Sequence, residues 1–177
     1  FPEENIDTLI VETTRGAAPR KADYNRNAEE DKLCQAILDT IERGGSALIP
    51  VFAMGKTQEV MTMIHKFKSD GRIPVKTPVY MGGLSTKMTL LFDELSDSTS
   101  RKVPDFKILE DMDINTGSKK QKGAPITYRP GAIFCLSSGM MSEKTTSNIF
   151  AQTFISNPKN SLLFVGYADP LTPGGVI

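Results

Sequence analysis

Four short stretches concentrate the residue types that could hold an anion: Glu12-Thr13-Thr14-Arg15-Gly16, Ala53-Met54-Gly55-Lys56-Thr57-Gln58, Gly82-Gly83-Leu84-Ser85 and Ser137-Ser138-Gly139-Met140-Met141. Each follows an apolar run that reads as a strand. Where a parallel strand gives way to a helix, unpaired backbone N–H groups and the helix dipole face the carboxyl edge of the sheet, which suits a phosphate. Lys56 beside the Gly55 turn, the hydroxyls of Thr57, Ser137 and Ser138, the bare backbone of Gly139, and Arg15 are the candidate contacts. Plainer roles stand beside these. Lys56 could be a solvated lysine, residues 137–139 a tight turn, and Glu12 a helix cap or a partner of Arg15 or Arg20.

Other chemistries fit less well. Gly55-Lys56-Thr57 matches the end of a P-loop, but that motif needs a further glycine where the sequence has Pro50, so no cradle of amides around a triphosphate is encoded. No G-x-G-x-x-G opens a helix, which argues against a dinucleotide site. The one histidine, His65, lies in a helical stretch without a carboxylate or cysteine at ligand spacing, so no metal site is expected in this chain. The same histidine would have to serve any Ser-His-Asp or Cys-His set, and no such set is expected. Hydrolysis would need groups from outside these residues.

The elements that must position these junctions alternate in the manner of a three-layer α/β/α, Rossmann-like domain with a mainly parallel sheet. Strands are predicted at residues 8–12, 47–52, 79–82, 106–109, 132–136 and 161–165, several of them nearly continuous apolar runs, as buried parallel strands should be. Helical spacing relates Leu33, Ala36, Ile37 and Ile41, then Val60, Met63, Ile64 and Phe67, then Leu84, Met88, Leu91 and Leu95. A fourth helix is expected from near Ser142, burying Ile149, Phe150 and Phe154. Residues 111–127 are polar and aperiodic, a surface loop whose Lys119, Lys120 and Lys122 are solvated or touch nucleic acid.

Composition is that of a soluble globular protein, 39% hydrophobic and 24% charged, with no run apolar enough to span a bilayer. A formal net charge of zero confines any nucleic-acid contact to local clusters. Cys34 and Cys135 sit in apolar patterns and suit a reducing cytoplasm. The chain reads as one domain, with domain boundaries at both ends.

The junctions also resemble a known family. Leu9-Ile10-Val11-Glu12-Thr13-Thr14-Arg15-Gly16 is similar to the Glu-Ser-Thr-Tyr-Gly strand end of β-CASP nucleases, residues 48–59 to their Pro-x-Phe-Ala-x-Gly-Arg-x-Gln-Glu segment, and residues 137–141 to their Ser-x-Gly-Met segment. Gly166-Tyr167 followed by Thr172-Pro173-Gly174 is similar to a further family segment. The order matches as well, and the segments look closest to the pre-mRNA 3′-end cleavage endonucleases and the archaeal enzymes like them. Lys56 replaces the usual arginine and so lacks its two-pronged fork, while Arg15 stands where an aromatic is common.

The resemblance implies a β-CASP domain that closes a substrate cleft over a metallo-β-lactamase domain of the same polypeptide. It implies two zinc ions held by that other domain, none in this chain, and RNA rather than DNA as substrate. Glu12 would orient a histidine general acid. Endonucleolytic or 5′-exonucleolytic cleavage are both open, and so is a scaffold module without catalysis. A homodimer is compatible with the pattern; a membrane partner is not expected.

Overall fold

The computed structural model describes residues 6–13, 16–117 and 125–177. Helix α1, Arg26–Glu42, starts where the Asn25 side chain accepts from the Asn27 and Ala28 amides, satisfying two of the donors a helix start leaves open. Strand β1, Ala47–Pro50, leads to α2, Lys56–Ser69, and β2, Val79–Gly82, leads to α3, Leu84–Glu94. A short 3₁₀ turn at Ser96–Ser98, a one-turn α4 at Ile108–Asp111 and the two-residue β3, Ile114–Asn115, follow. The chain then forms β4, Ile133–Leu136, α5, Thr146–Ile155, β5, Ser161–Leu162, and a final turn, α6, Pro173–Val176.

The five strands form one parallel sheet in the order β3-β2-β4-β1-β5. Successive residues of a strand face opposite sides, and here both sides are covered. Ala47, Ile49, Val79, Met81, Ile133 and Cys135 pack with Ile37, Ile64 and Phe67 of α1 and α2. Leu48, Tyr80, Phe134 and Leu136 pack with Ala151 and Phe154 of α5. Tyr80 stacks on Phe134 at 4.6 Å between ring centroids, and Phe154 meets Phe134 edge-on at 5.4 Å. The result is the three-layer α/β/α domain expected from the pattern.

Three predicted elements differ, and the stretch 111–127, expected as a surface loop, carries buried Met112 and the edge strand β3. Residues 8–12 are exposed and lie outside the sheet, with Leu9 63%, Ile10 93% and Val11 55% exposed; a strand needs a hydrogen-bonded neighbour, and both edges of the described sheet are formed by β3 and β5. Residues 106–109 enter α4 because the Asp93 carboxylate accepts from the Ile108 and Leu109 amides, at 2.9 and 2.7 Å, and the β2 edge is taken by β3 instead. Helix α5 starts at Thr146 with Thr145 as its cap, not near Ser142, and Ile149 is exposed. No described helix is long and apolar enough to cross a membrane. Lys119, Lys120 and Lys122 lie outside the described residues.

Candidate functional site

Strands β1 and β4 are neighbours, yet the connections leaving their carboxyl ends go to opposite faces, one to α2 and the other to α5. Such a switch in direction opens a crevice at the strand ends, where α/β sheets bind ligands. Two of the four candidate segments flank it. Val51 continues the ladder through its amide to the Leu136 carbonyl, at 3.0 Å, and the chain then turns through Phe52 into α2.

The α2 turn is held from inside. Gly55 has φ +78°, a conformation natural to glycine, and its amide donates to Gln58 Oε1 at 2.7 Å. Gln58 Nε2 donates to Thr89 Oγ1 at 2.7 Å and to the Ala53 carbonyl at 3.2 Å. Thr57 is fully buried, its hydroxyl donating to the Phe52 carbonyl at 2.7 Å and lying 3.0 Å from Ser85 Oγ. Thr57 thus shapes the turn from beneath.

Lys56 stands at the rim in a charged network. Its Nζ is 2.5 Å from Glu59 Oε2, while Glu59 Oε1 meets Arg26, which also reaches Glu30 at 2.8 Å. Burial disfavours the Glu59 carboxylate, but the hydrogen bonds from Lys56 and Arg26 outweigh it and hold the carboxyl below its ordinary range. The hydrogen bond from Arg26 does the same for Glu30 against its burial.

Across the crevice, Ser137 is buried with its hydroxyl donating to the Gly82 carbonyl at 3.3 Å. Ser138, joined to it by a cis peptide, accepts at Oγ from the Ser142 amide at 3.1 Å, and its carbonyl accepts from Ser147 Oγ at 2.7 Å. Gly139 lies against Phe52: a Cβ there would come within 2.9 Å of the Phe52 nitrogen and 3.0 Å of its ring. The fourth family-like segment closes on the same place. The Gly174 amide donates to the Met140 carbonyl at 2.9 Å, and Gly166 faces the Phe52 ring.

Gly55, Lys56 and Thr57 are therefore gathered with Ser137, Ser138 and Gly139 at one strand edge. Glu12 is on the exposed 8–13 segment, and Arg15 lies outside the described residues. Three residues lay inside the segments singled out in the sequence but were assigned no role of their own: Gln58, Glu59 and Phe52, which is 38% exposed at the crevice. The segment was singled out for its Gly-Lys-Thr and for its likeness to Pro-x-Phe-Ala-x-Gly-Arg-x-Gln-Glu, and the clamp of the turn by Gln58 and the pairing of Lys56 with Glu59 at i,i+3 are what the structure adds. His65 packs against Phe106 with ring centroids 4.4 Å apart and planes tilted by 33°, and no three His, Cys, Asp or Glu side chains come together among the described residues.

The Beta-Casp domain model matches residues 57–177. Transcription termination factor FttA of Pyrococcus horikoshii is 31% identical over 98% of this chain, that of Methanosarcina mazei 32% over 98%, and Probable RNase MJ4 of Methanocaldococcus jannaschii 28% over 94%. The chain spans 27%, 28% and 37% of those three proteins respectively. With most of its length matched, and with the turns after β1 and β4 packed together, the chain belongs to the β-CASP domain family.

Proposed function

We propose that this chain is the β-CASP part of a zinc-dependent metallo-β-lactamase-fold ribonuclease, and that its β1/β4 crevice holds the RNA backbone. The observation that carries the reading is the convergence of three family-like segments on Phe52, Gly139 and Met140 at the switch in sheet direction. RNase and transcription termination factor are the names of the relatives, and an RNA strand suits a crevice with one rim cation, hydroxyls and open backbone. Lys56 would meet a phosphate, in exchange for or alongside Glu59. Ser138 would face it from the other side, while Thr57, Ser137 and Gly139, all buried, would hold the two turns. Glu12 would orient a histidine of the remaining polypeptide, where the zinc ions would also be bound. Cys34 and Cys135 are buried free thiols, which fits a cytoplasmic protein.

The test compares two changes in the complete protein. Lys56→Ala is expected to weaken binding alike for unrelated RNA sequences and to lower the salt slope by about 0.7. Glu12→Gln is expected to leave binding and melting temperature in place while slowing cleavage by roughly 10²–10⁴. Unchanged RNA affinity in the first variant would remove the crevice from the reading, and unchanged cleavage in the second would reduce Glu12 to a surface residue.

A further inference from the structure

A second groove opens beside the crevice, on the β5 side. It encloses about 470 Å³ between the start of α1 and the chain leaving β5, and Lys56 stands on its wall as well as at the crevice rim. Phe164, just after β5, makes the join. Its ring lies where a Cβ added to Gly174 would come within 3.1 Å of it, and the Gly174 amide is bonded to the Met140 carbonyl at the crevice. From the crevice into the groove, three aromatic residues stay partly open to solvent: Phe52 at 38%, Phe164 at 37% and Tyr24 at 40%. A ring left open in a charged groove is a flat apolar face with room for another.

The charges of this groove do not cancel. Glu29 holds Lys32 at 2.8 Å, while Glu30 and Glu59 hold Arg26 and Lys56. Of the four cations and three carboxylates on the lining, Arg20 alone stands outside these pairs. Its guanidinium lies over the Tyr24 ring, 4.7 Å from the centroid, where the negative face of the ring attracts it. Arg20 and Tyr24 together present a positive charge and a plane. Grooves that combine positive charge with open rings hold single-stranded nucleic acid, the backbone by charge and the bases by stacking. In a duplex the base faces are already covered.

We propose that Tyr24 and Phe164 are stacking platforms for unpaired bases of an RNA strand that leaves the crevice along this groove, with Arg20 on its backbone. The inference rests on the reading of the crevice as an RNA-backbone site. It adds a preference for single strands that is indifferent to sequence, because every base has a face to stack.

Equilibrium binding of a short single-stranded RNA to the complete protein, with chelator present to stop cleavage, tests this. Tyr24→Ala and Phe164→Leu should each weaken binding about tenfold, whereas Tyr24→Phe keeps the ring and should bind as the parent does. Arg20→Ala should lower the salt slope by about 0.7. A duplex of the same sequence should bind the parent and Tyr24→Ala equally. An abasic nucleotide moved along the strand should weaken binding to the parent at the stacked position and change nothing there for Tyr24→Ala. Should Phe164→Leu lower the melting temperature, the two Tyr24 variants and the abasic series decide the matter. If Lys56→Ala leaves affinity untouched, the crevice reading fails and this one with it. If Lys56→Ala weakens binding but Tyr24→Ala does not, or if Tyr24→Phe loses as much as Tyr24→Ala, the stacking platforms alone are overturned.

Discussion

Helices α2 and α3 follow consecutive strands and pack side by side, yet they are fixed by opposite means. Helix α2 buries Val60, Met61, Ile64 and Phe67 against the sheet. Helix α3 buries Ser85, Thr89 and Asp93 and exposes its leucines. Burying apolar area is non-directional, so it presses α2 down without dictating where its N-terminus points. Hydrogen bonds are directional, and the Thr57–Ser85 and Gln58–Thr89 contacts fix how the two strand-end turns stand to one another. The crevice depends on both kinds of hold.

The largest expected effect breaks the apolar side of this contrast. Phe67→Ala removes a fully buried ring and should cost about 3–5 kcal/mol, measured by urea unfolding. Leu91→Ala, on the exposed face of α3, should stay within about 0.5 kcal/mol. Equal losses in the two variants would mean that α3 buries its leucines after all.

The polar side is probed at Asp93, which is 6% exposed and accepts two amides at the start of α4. Asp93→Ala leaves those donors buried without a partner and should cost about 1.5–3 kcal/mol. Asp93→Asn keeps an acceptor oxygen and should cost less. A larger loss for Asn than for Ala would contradict this account of how α3 is anchored.

This contrast also explains what could be read from the sequence. The three-layer architecture and α2 follow from apolar period, because hydrophobic burial writes that period into the chain. In α3 the same period was legible as a face, but not its direction, since hydroxyl and amide contacts 28 and 31 residues apart in sequence decide it. The apolar run at 8–12 and the run at 106–109 were read as strands on local composition. Pairing is not local, and the carboxylate of Asp93 claimed the second run for a helix. Of the candidate site, the two turns were legible from Gly55, Lys56 and 137–139, whereas the Gln58 clamp and the Glu59 pairing of Lys56 depend on side-chain geometry.

The smallest expected effect separates the two holds by pH. Glu30 is held below its ordinary range by Arg26, and Glu59, against its burial, by Lys56 and Arg26; Glu59 ties the start of α2 to α1 through Arg26, while Glu30 pairs with Arg26 within α1 and with Lys66 near the end of α2. A lowered folded-state value means that their stabilisation is complete above about 4.3, the unfolded value, and disappears as pH falls through the lower folded values. The Ser85 and Thr89 contacts of α3 carry no titrating group. The double change Glu30→Gln/Glu59→Gln should therefore flatten the acid limb of stability between pH 5 and 2, read as urea midpoints (pH limits on the order of the carboxylate range). Its difference from the parent should be constant near neutrality and shrink as both carboxyls of the parent protonate. Glu59 is about one-third exposed, so solvent screens its share and Glu30, with a side chain 7% exposed, should dominate. Parallel acid limbs in parent and variant would show that α2 is held by apolar burial alone and that Lys56 is not restrained by Glu59 in solution.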